Sequence, residues 1–147
     1  MNAVEEFLSR DEESDIIAAI RDVECKTSGE IRVHIENSTH LPIESRAQEV
    51  FHALKMDNTS LKNGVLIYIA IADRAFGIYG DRDLNDKVPP SFWVDTRDAI
   101  QNHFVNNNFA AGIICGVQTA GLVLSQYFPW DHKDQNELSD DISKGSI

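Results

Sequence analysis

Cysteine is scarce in this 147-residue chain: Cys25 and Cys115 lie far apart and outside any C-x-x-C pair. A disulfide framework has no basis, and the two thiols read as reduced packing residues rather than nucleophiles. Basic residues are also few, 13 Lys and Arg against 24 Asp and Glu, for a formal charge of −11. That balance repels phosphate backbones and leaves no basic stripe, so nucleic acid is not an expected partner. The histidines, at positions 34, 40, 52, 103 and 132, show neither an H-E-x-x-H motif nor paired ligand spacing, which sets zinc aside. The start, Met1 to Glu13, is acidic where a signal peptide needs a basic segment and then an apolar run, so a cytoplasmic location is expected. No internal repeat is present. A single long apolar stretch, residues 109–128, contains the small-residue spacing Gly112 to Gly116. Gln118 and Thr119 within it, and acidic rather than basic residues after it, read it as a core helix without membrane insertion.

What remains is enough for one domain with a sizeable core. Ser9 with Glu12 forms a capping-box pattern, and Ile16, Ile20 and Val23 recur at helical spacing towards Gly29, a natural stop. Ile31, Val33 and Ile35 alternate with Arg32, His34 and Glu36, a strand with one polar face on which His34 lies. Ile43, Ala47, Val50, Phe51 and Leu54 define a second amphipathic helix, with His52 on its polar face, and a polar loop follows from Asp57 to Asn63. Gly64 to Ile71 is continuously apolar and fits a central strand. Asp73-Arg74 then turns the chain into Phe76 to Gly80, an antiparallel hairpin partner. Pro89-Pro90 opens a helix carrying Trp93, Thr96, Ile100 and Phe104 on one face, and a final apolar helix begins at Phe109. The predicted fold is a three-layer α/β/α sandwich, Rossmann-like, with a small mixed sheet over residues 1–130. Residues 131–147 read as a flexible acidic tail.

This topology predicts a meeting place for polar side chains. Parallel first and second strands start at the edge where an antiparallel third strand ends. That edge collects Thr27, Ser28 and Glu30, then Asp57, Asn58 and Asn63, then Asp81, Asp83, Asn85 and Asp86. Carboxylate and amide oxygens are what the hard cations Ca²⁺ and Mg²⁺ require. The expected ligands are Glu30, Asp81, Asp83 and Asp86, with Asn63 or Asn85 adding an amide oxygen. Asp81-x-Asp83-x-Asn85 matches the first ligands of an EF-hand loop, but Asp86 replaces the turn glycine and Phe92 the closing glutamate, so it is not an EF-hand. Asp81-x-Asp83 after an apolar strand also echoes the haloacid dehalogenase phosphatases, more weakly. The bland alternative is that Asp83 to Asp86 cap a short helix or turn.

Thr27-Ser28-Gly29-Glu30-Ile31, Asn63-Gly64-Val65-Leu66-Ile67-Tyr68, Asp73-Arg74, Gly80-Asp81 and the Pro-Pro-x-Phe-Trp run from Pro89 to Trp93 together resemble the TPM-domain family, over roughly residues 10–130. That family includes a thylakoid-lumen protein implicated in photosystem II repair and described as an acid phosphatase, as well as bacterial members of unknown role. The resemblance implies a Rossmann-like sandwich, an acidic patch and divalent-metal binding. Glu30, Asn63, Gly80, Asp81 and Asn85 fall on the family's motif positions, and Asp86 sits where this branch carries an acid. Asp83 stands where relatives commonly hold glycine, so its ligand role rests on spacing alone. Two other readings follow: a metal-assisted acid phosphatase, and an interaction module for a membrane-protein complex that docks through the acidic face or the segment from Trp130 to Ile147.

Overall fold

The computed structural model describes residues 3–131 and 139–147. A short helix α1 (Ala3–Glu6) precedes α2 (Arg10–Glu24), where the Ser9 side chain and the Glu12 side chain bond each other's backbone N–H as a complete capping box. Strand β1 (Glu30–Glu36), helix α3 (Ile43–Ala53) and strand β2 (Gly64–Ala70) make a parallel crossover, and β3 (Ala75–Gly80) returns antiparallel to β2. Helices α4 (Arg82–Lys87), α5 (Ser91–Phe104) and α6 (Phe109–Tyr127) follow, and β4 (Ser143–Lys144) closes the chain. The sheet order is β3-β2-β1-β4. It is a mixed sheet between two helical layers, the three-layer α/β/α architecture the periodicities predict.

The layers are unequal. Val65, Ile67 and Ile69 point to the larger core with Ile31, Val33 and Ile35, under α2, α5 and α6. Leu66, Tyr68 and Ala70 point the other way, onto Ala47, Val50 and Phe51 of α3. Helix α6 is long and apolar enough to cross a membrane, yet here it packs on α2 and α5. Its glycines set the approach: a Cβ on Gly112 or Gly116 would press on Phe104 or Ile100, and one on Gly121 would lie 2.5 Å from Val23. The small-residue spacing therefore serves helix-to-helix contact within the domain.

Four expectations change. Helix α2 ends at Glu24 with Cys25 as C-cap, so Gly29 is not its stop; a Cβ there would meet Leu124 at 3.2 Å, and close packing explains the glycine. Cys25 is exposed rather than packed. His34 is fully buried, because the polar face of β1 is covered instead of solvated. The tail, expected to be flexible, lies partly outside the described residues, but its last part is placed: Ser143 and Lys144 pair in parallel with His34 and Ile35, and Gly145 N–H donates to the Ile35 carbonyl at 2.8 Å. The final residues thus supply the fourth strand. Asp73-Arg74 does form the β2–β3 turn, with Arg74 at φ 49°, but the Asp73 carboxylate accepts the Thr39 N–H at 2.9 Å.

Candidate functional site at one edge of the sheet

Register decides which polar residues meet. Glu30 pairs with Gly64 across β1 and β2, and the Asp81 N–H donates to the Gly64 carbonyl at 3.0 Å. Glu30 and Asp81 therefore flank Gly64 in one row across three strands, with Asn63 the residue before it. All three are buried: Glu30 at 3%, Asn63 at 1% and Asp81 at 7% exposure. The Gly64 position is tight, since a Cβ would sit 3.3 Å from the Met56 carbonyl, so the α3–β2 loop closes over this edge. Thr59 of that loop is buried.

The polar atoms here are incompletely used. Asp81 is the N-cap of α4, with Oδ1 accepting the Arg82 N–H at 2.8 Å, while its Oδ2 is buried without a hydrogen-bond partner among the described residues. Asn63 Nδ2 and Thr59 Oγ1 are in the same state. Buried polar atoms are normally paired, which makes Asp81 Oδ2 a candidate for a further partner. Oxygen donors of this type suit a hard cation, and the Asn63 amide carries an oxygen as well as its nitrogen.

The other sequence candidates lie apart from this row. Asp83 is half-exposed in the first turn of α4, 4.0 Å from Arg82. Asn85 is exposed, and its Nδ2 turns back to the Gly80 and Asp81 carbonyls at 3.1 and 3.4 Å. Asp86 is exposed on the same short helix. The residue that caps this helix is Asp81, while Asp83, Asn85 and Asp86 lie within it. Asp57 lies against His52 and Lys62 in the α3–β2 loop. Among the described residues no group of three or more His, Cys, Asp or Glu side chains is gathered to hold a metal, and two surface grooves, one bordered by Ile43, Ile78 and Trp93 and one by Phe7, Ile69 and Phe104, are not lined by Glu30, Asn63 or Asp81.

Two polar clusters were not legible in the sequence. At the other end of β1, Arg46 of α3 donates to Glu36 through Nε at 2.7 Å and Nη2 at 3.0 Å, and the Tyr68 hydroxyl donates to the same carboxylate. Burial alone would raise the Glu36 pKa, but the Arg46 and Tyr68 hydrogen bonds outweigh it and hold the carboxyl below its ordinary range. Burial lowers the pKa of His34, which stacks on Tyr68 and shares a hydrogen with Ser143 Oγ at 2.9 Å, so it is neutral. At the end of α2, burial together with the neighbouring Asp140 and Glu30 carboxyls pushes Glu24 up to about 10. Among the described residues neither Glu24 oxygen makes a well-aligned hydrogen bond, and Asp140 also bridges to Arg21 at 3.2 Å. The only sequence signal for these clusters was the run of ionisable residues on one face of β1, which reads equally well as a solvated face.

The fold agrees with that of known structures. The NMR structure of the BA42 protein from the psychrophilic bacterium Bizionia argentinensis is 52% identical and superposes with a TM-score of 0.92, covering 99% of this chain and 100% of that one. The N-terminal domains of the cg2496 protein from Corynebacterium glutamicum and of a P. gingivalis protein share the fold at 18% and 21% identity. Their TM-scores are 0.66 and 0.68; the match covers 87% and 86% of this chain and 83% of each of those chains. No functionally curated protein matches. The TPM domain pattern matches residues 1–123, and the chain belongs to the TPM-domain family.

Proposed function

We propose that this domain binds a divalent cation, Ca²⁺ or Mg²⁺, at the edge where Glu30, Asn63 and Asp81 meet. The observation that carries the reading is the buried Asp81 Oδ2, which has no hydrogen-bond partner among the described residues and belongs to a residue that shares a row with Glu30 across Gly64, the residue after Asn63. A buried carboxylate oxygen left unpaired is costly, and a cation coordinated there offsets that cost. The donor set is short, two carboxylates and one amide, so water completes the shell and affinity is modest. Asp83, Asp86 and Asn85 stand on α4 and join only as outer residues.

The test is a Ca²⁺ and Mg²⁺ titration of the ¹⁵N-labelled chain. Amide shifts are expected at residue 30, residue 63 and residues 80–87, together with a rise in melting temperature. Asp81→Asn is expected to weaken binding by about tenfold or more. Saturable shifts that avoid these residues, or an unchanged affinity in Asp81→Asn, defeat the proposal. A metal-assisted phosphatase reading of the same edge needs a cationic clamp, and Arg82 and Lys87 of α4 are the nearest candidates in sequence. Metal-dependent hydrolysis of p-nitrophenyl phosphate, lost in Asp81→Asn, distinguishes it. An interaction role through the acidic surface or the C-terminal segment is separable by deleting residues 139–147 and repeating the cation titration.

A further inference from the structure

The two edges of the sheet are treated differently. On one side β1 is covered by β4. On the other, β3 pairs only with β2 among the described residues and ends the sheet. Natural edge strands are blunted by charges, prolines or bulges, because free N–H and C=O groups recruit other strands. β3 reads Ala-Phe-Gly-Ile-Tyr-Gly, with no charge and no proline, and its register with β2 runs without a bulge from Ala75 to Gly80. In a chain with 25% charged residues this omission is conspicuous.

Alternation fixes which groups look outward. The Asp81 N–H bonds inward to the Gly64 carbonyl, so residues 79, 77 and 75 also face β2, and Gly80, Ile78 and Phe76 face away. The Gly80 carbonyl confirms this, since it is capped from outside by Asn85 Nδ2 at 3.1 Å. The N–H and C=O of Ile78 and Phe76 open into a groove of about 540 Å³, with Ile43 and Glu44 of α3 on one wall and Trp93, Val94 and Arg97 of α5 on the other. The groove is floored by a strand edge and walled by helices, so it admits one extended segment.

Charge selects the occupant. Glu44 is exposed and makes no ion pair or hydrogen bond among the described residues, whereas Arg97 already contacts the adjacent Asp98 carboxylate at 3.4 Å. Glu44 is thus the groove charge without a counter-ion among the described residues, and the whole chain, at −11, repels acidic segments and a second copy of itself. We propose that β3 is a strand-addition site for an extended peptide segment of a partner protein, with apolar side chains against Trp93 and Val94 and a basic side chain facing Glu44.

The experiment titrates the ¹⁵N-labelled full chain with blocked Val-Lys-Val-Lys-Val and Val-Glu-Val-Glu-Val peptides. The lysine peptide is expected to shift the Phe76, Ile78 and Gly80 amides and to slow hydrogen exchange at Phe76 and Ile78. The same peptide N-methylated at alternate residues is expected to lose binding, which tests the backbone ladder with the protein unchanged. Glu44→Lys, an exposed change, is expected to weaken the lysine peptide by about tenfold and to favour the glutamate one. The proposal is overturned by equal binding of both peptides, by shifts confined to other surfaces, by no binding at millimolar peptide, or by N-methylation without effect. Concentration-dependent shifts at β3 in the absence of peptide would assign the edge to a second copy and overturn it as well.

Discussion

At Glu36 the chain buries a carboxylate and satisfies it with a guanidinium and a phenol, and the consequences are asymmetric. Arg46→Met removes the charge partner and leaves the acid stranded, with an expected loss of about 3–5 kcal/mol in urea unfolding. Tyr68→Phe removes one hydrogen bond to the same charged group while Arg46 stays in place, with an expected loss of about 1.5–3 kcal/mol. The order of the two variants is the check, since a network held mainly by packing would reverse or equalise them. Gly80 makes a steric prediction of the same kind. A Cβ there would lie 2.4 Å from Trp93 and 2.8 Å from Leu84. Gly80→Ala is therefore expected to lower stability by about 1–3 kcal/mol by overpacking, although the backbone conformation is open to alanine.

Elements carry the pH dependence. Glu24 sits at the junction of α2, β1 and the C-terminal segment, and it holds its proton to about pH 10 when folded. The folded state thus binds a proton that the unfolded chain has lost, so this contribution is complete below about pH 4.5 and declines as pH rises through that value to about 10. His34 acts in the opposite sense. Its pKa is lowered by burial, so below the ordinary histidine range the unfolded chain gains a proton that the folded chain refuses, and stability falls with acid. On the alkaline side, ionised Glu24 faces Asp140 and Glu30, and β4 is the element expected to loosen. Amide exchange at residues 139–145, corrected for its intrinsic pH dependence, should accelerate towards pH 10 in the wild type and much less in Glu24→Gln. A common acceleration in both proteins would separate the loosening of β4 from Glu24.

The elements also show how far the sequence could be read. The capping box at Ser9, the alternation of β1, the apolar run of β2 and the proline start of α5 each depend on neighbours a few residues away, and each element stands where periodicity put it. Strand direction then placed Glu30, Asn63 and Asp81 at one edge. What failed depended on distant covering. Nothing near His34 in sequence announces that Ser143 and α3 enclose it, and nothing near Asn85 announces that its amide is spent on the Gly80 carbonyl.

Across the whole molecule, a charge of −11 on a 147-residue chain stores repulsion that folding concentrates. Monovalent salt is therefore expected to raise the melting temperature between low and physiological ionic strength, because screening relieves surface repulsion. The buried Arg46–Glu36 pair lies out of reach of screening, so the Arg46→Met penalty should be nearly independent of salt. A melting temperature that falls with salt would mean that attractive surface pairs such as Arg21–Asp140 and Lys144–Glu13 dominate the balance.

By itself the sequence determined the helices and strands, their order and the two-sided burial of β2, since these follow from apolar spacing along a local stretch of chain. It also determined which three strand ends share an edge, because chain direction follows from connection length. Tertiary structure alone decided which ionisable groups lose water. Glu24, His34, Glu36 and Asp81 have the same chemistry in sequence as their exposed neighbours, and their surroundings come from the segments packed around them: Asp140 beside Glu24, Ser143 on His34, Arg46 and Tyr68 on Glu36. Desolvation is a property of the surrounding packing, and packing is written in no single stretch of the chain.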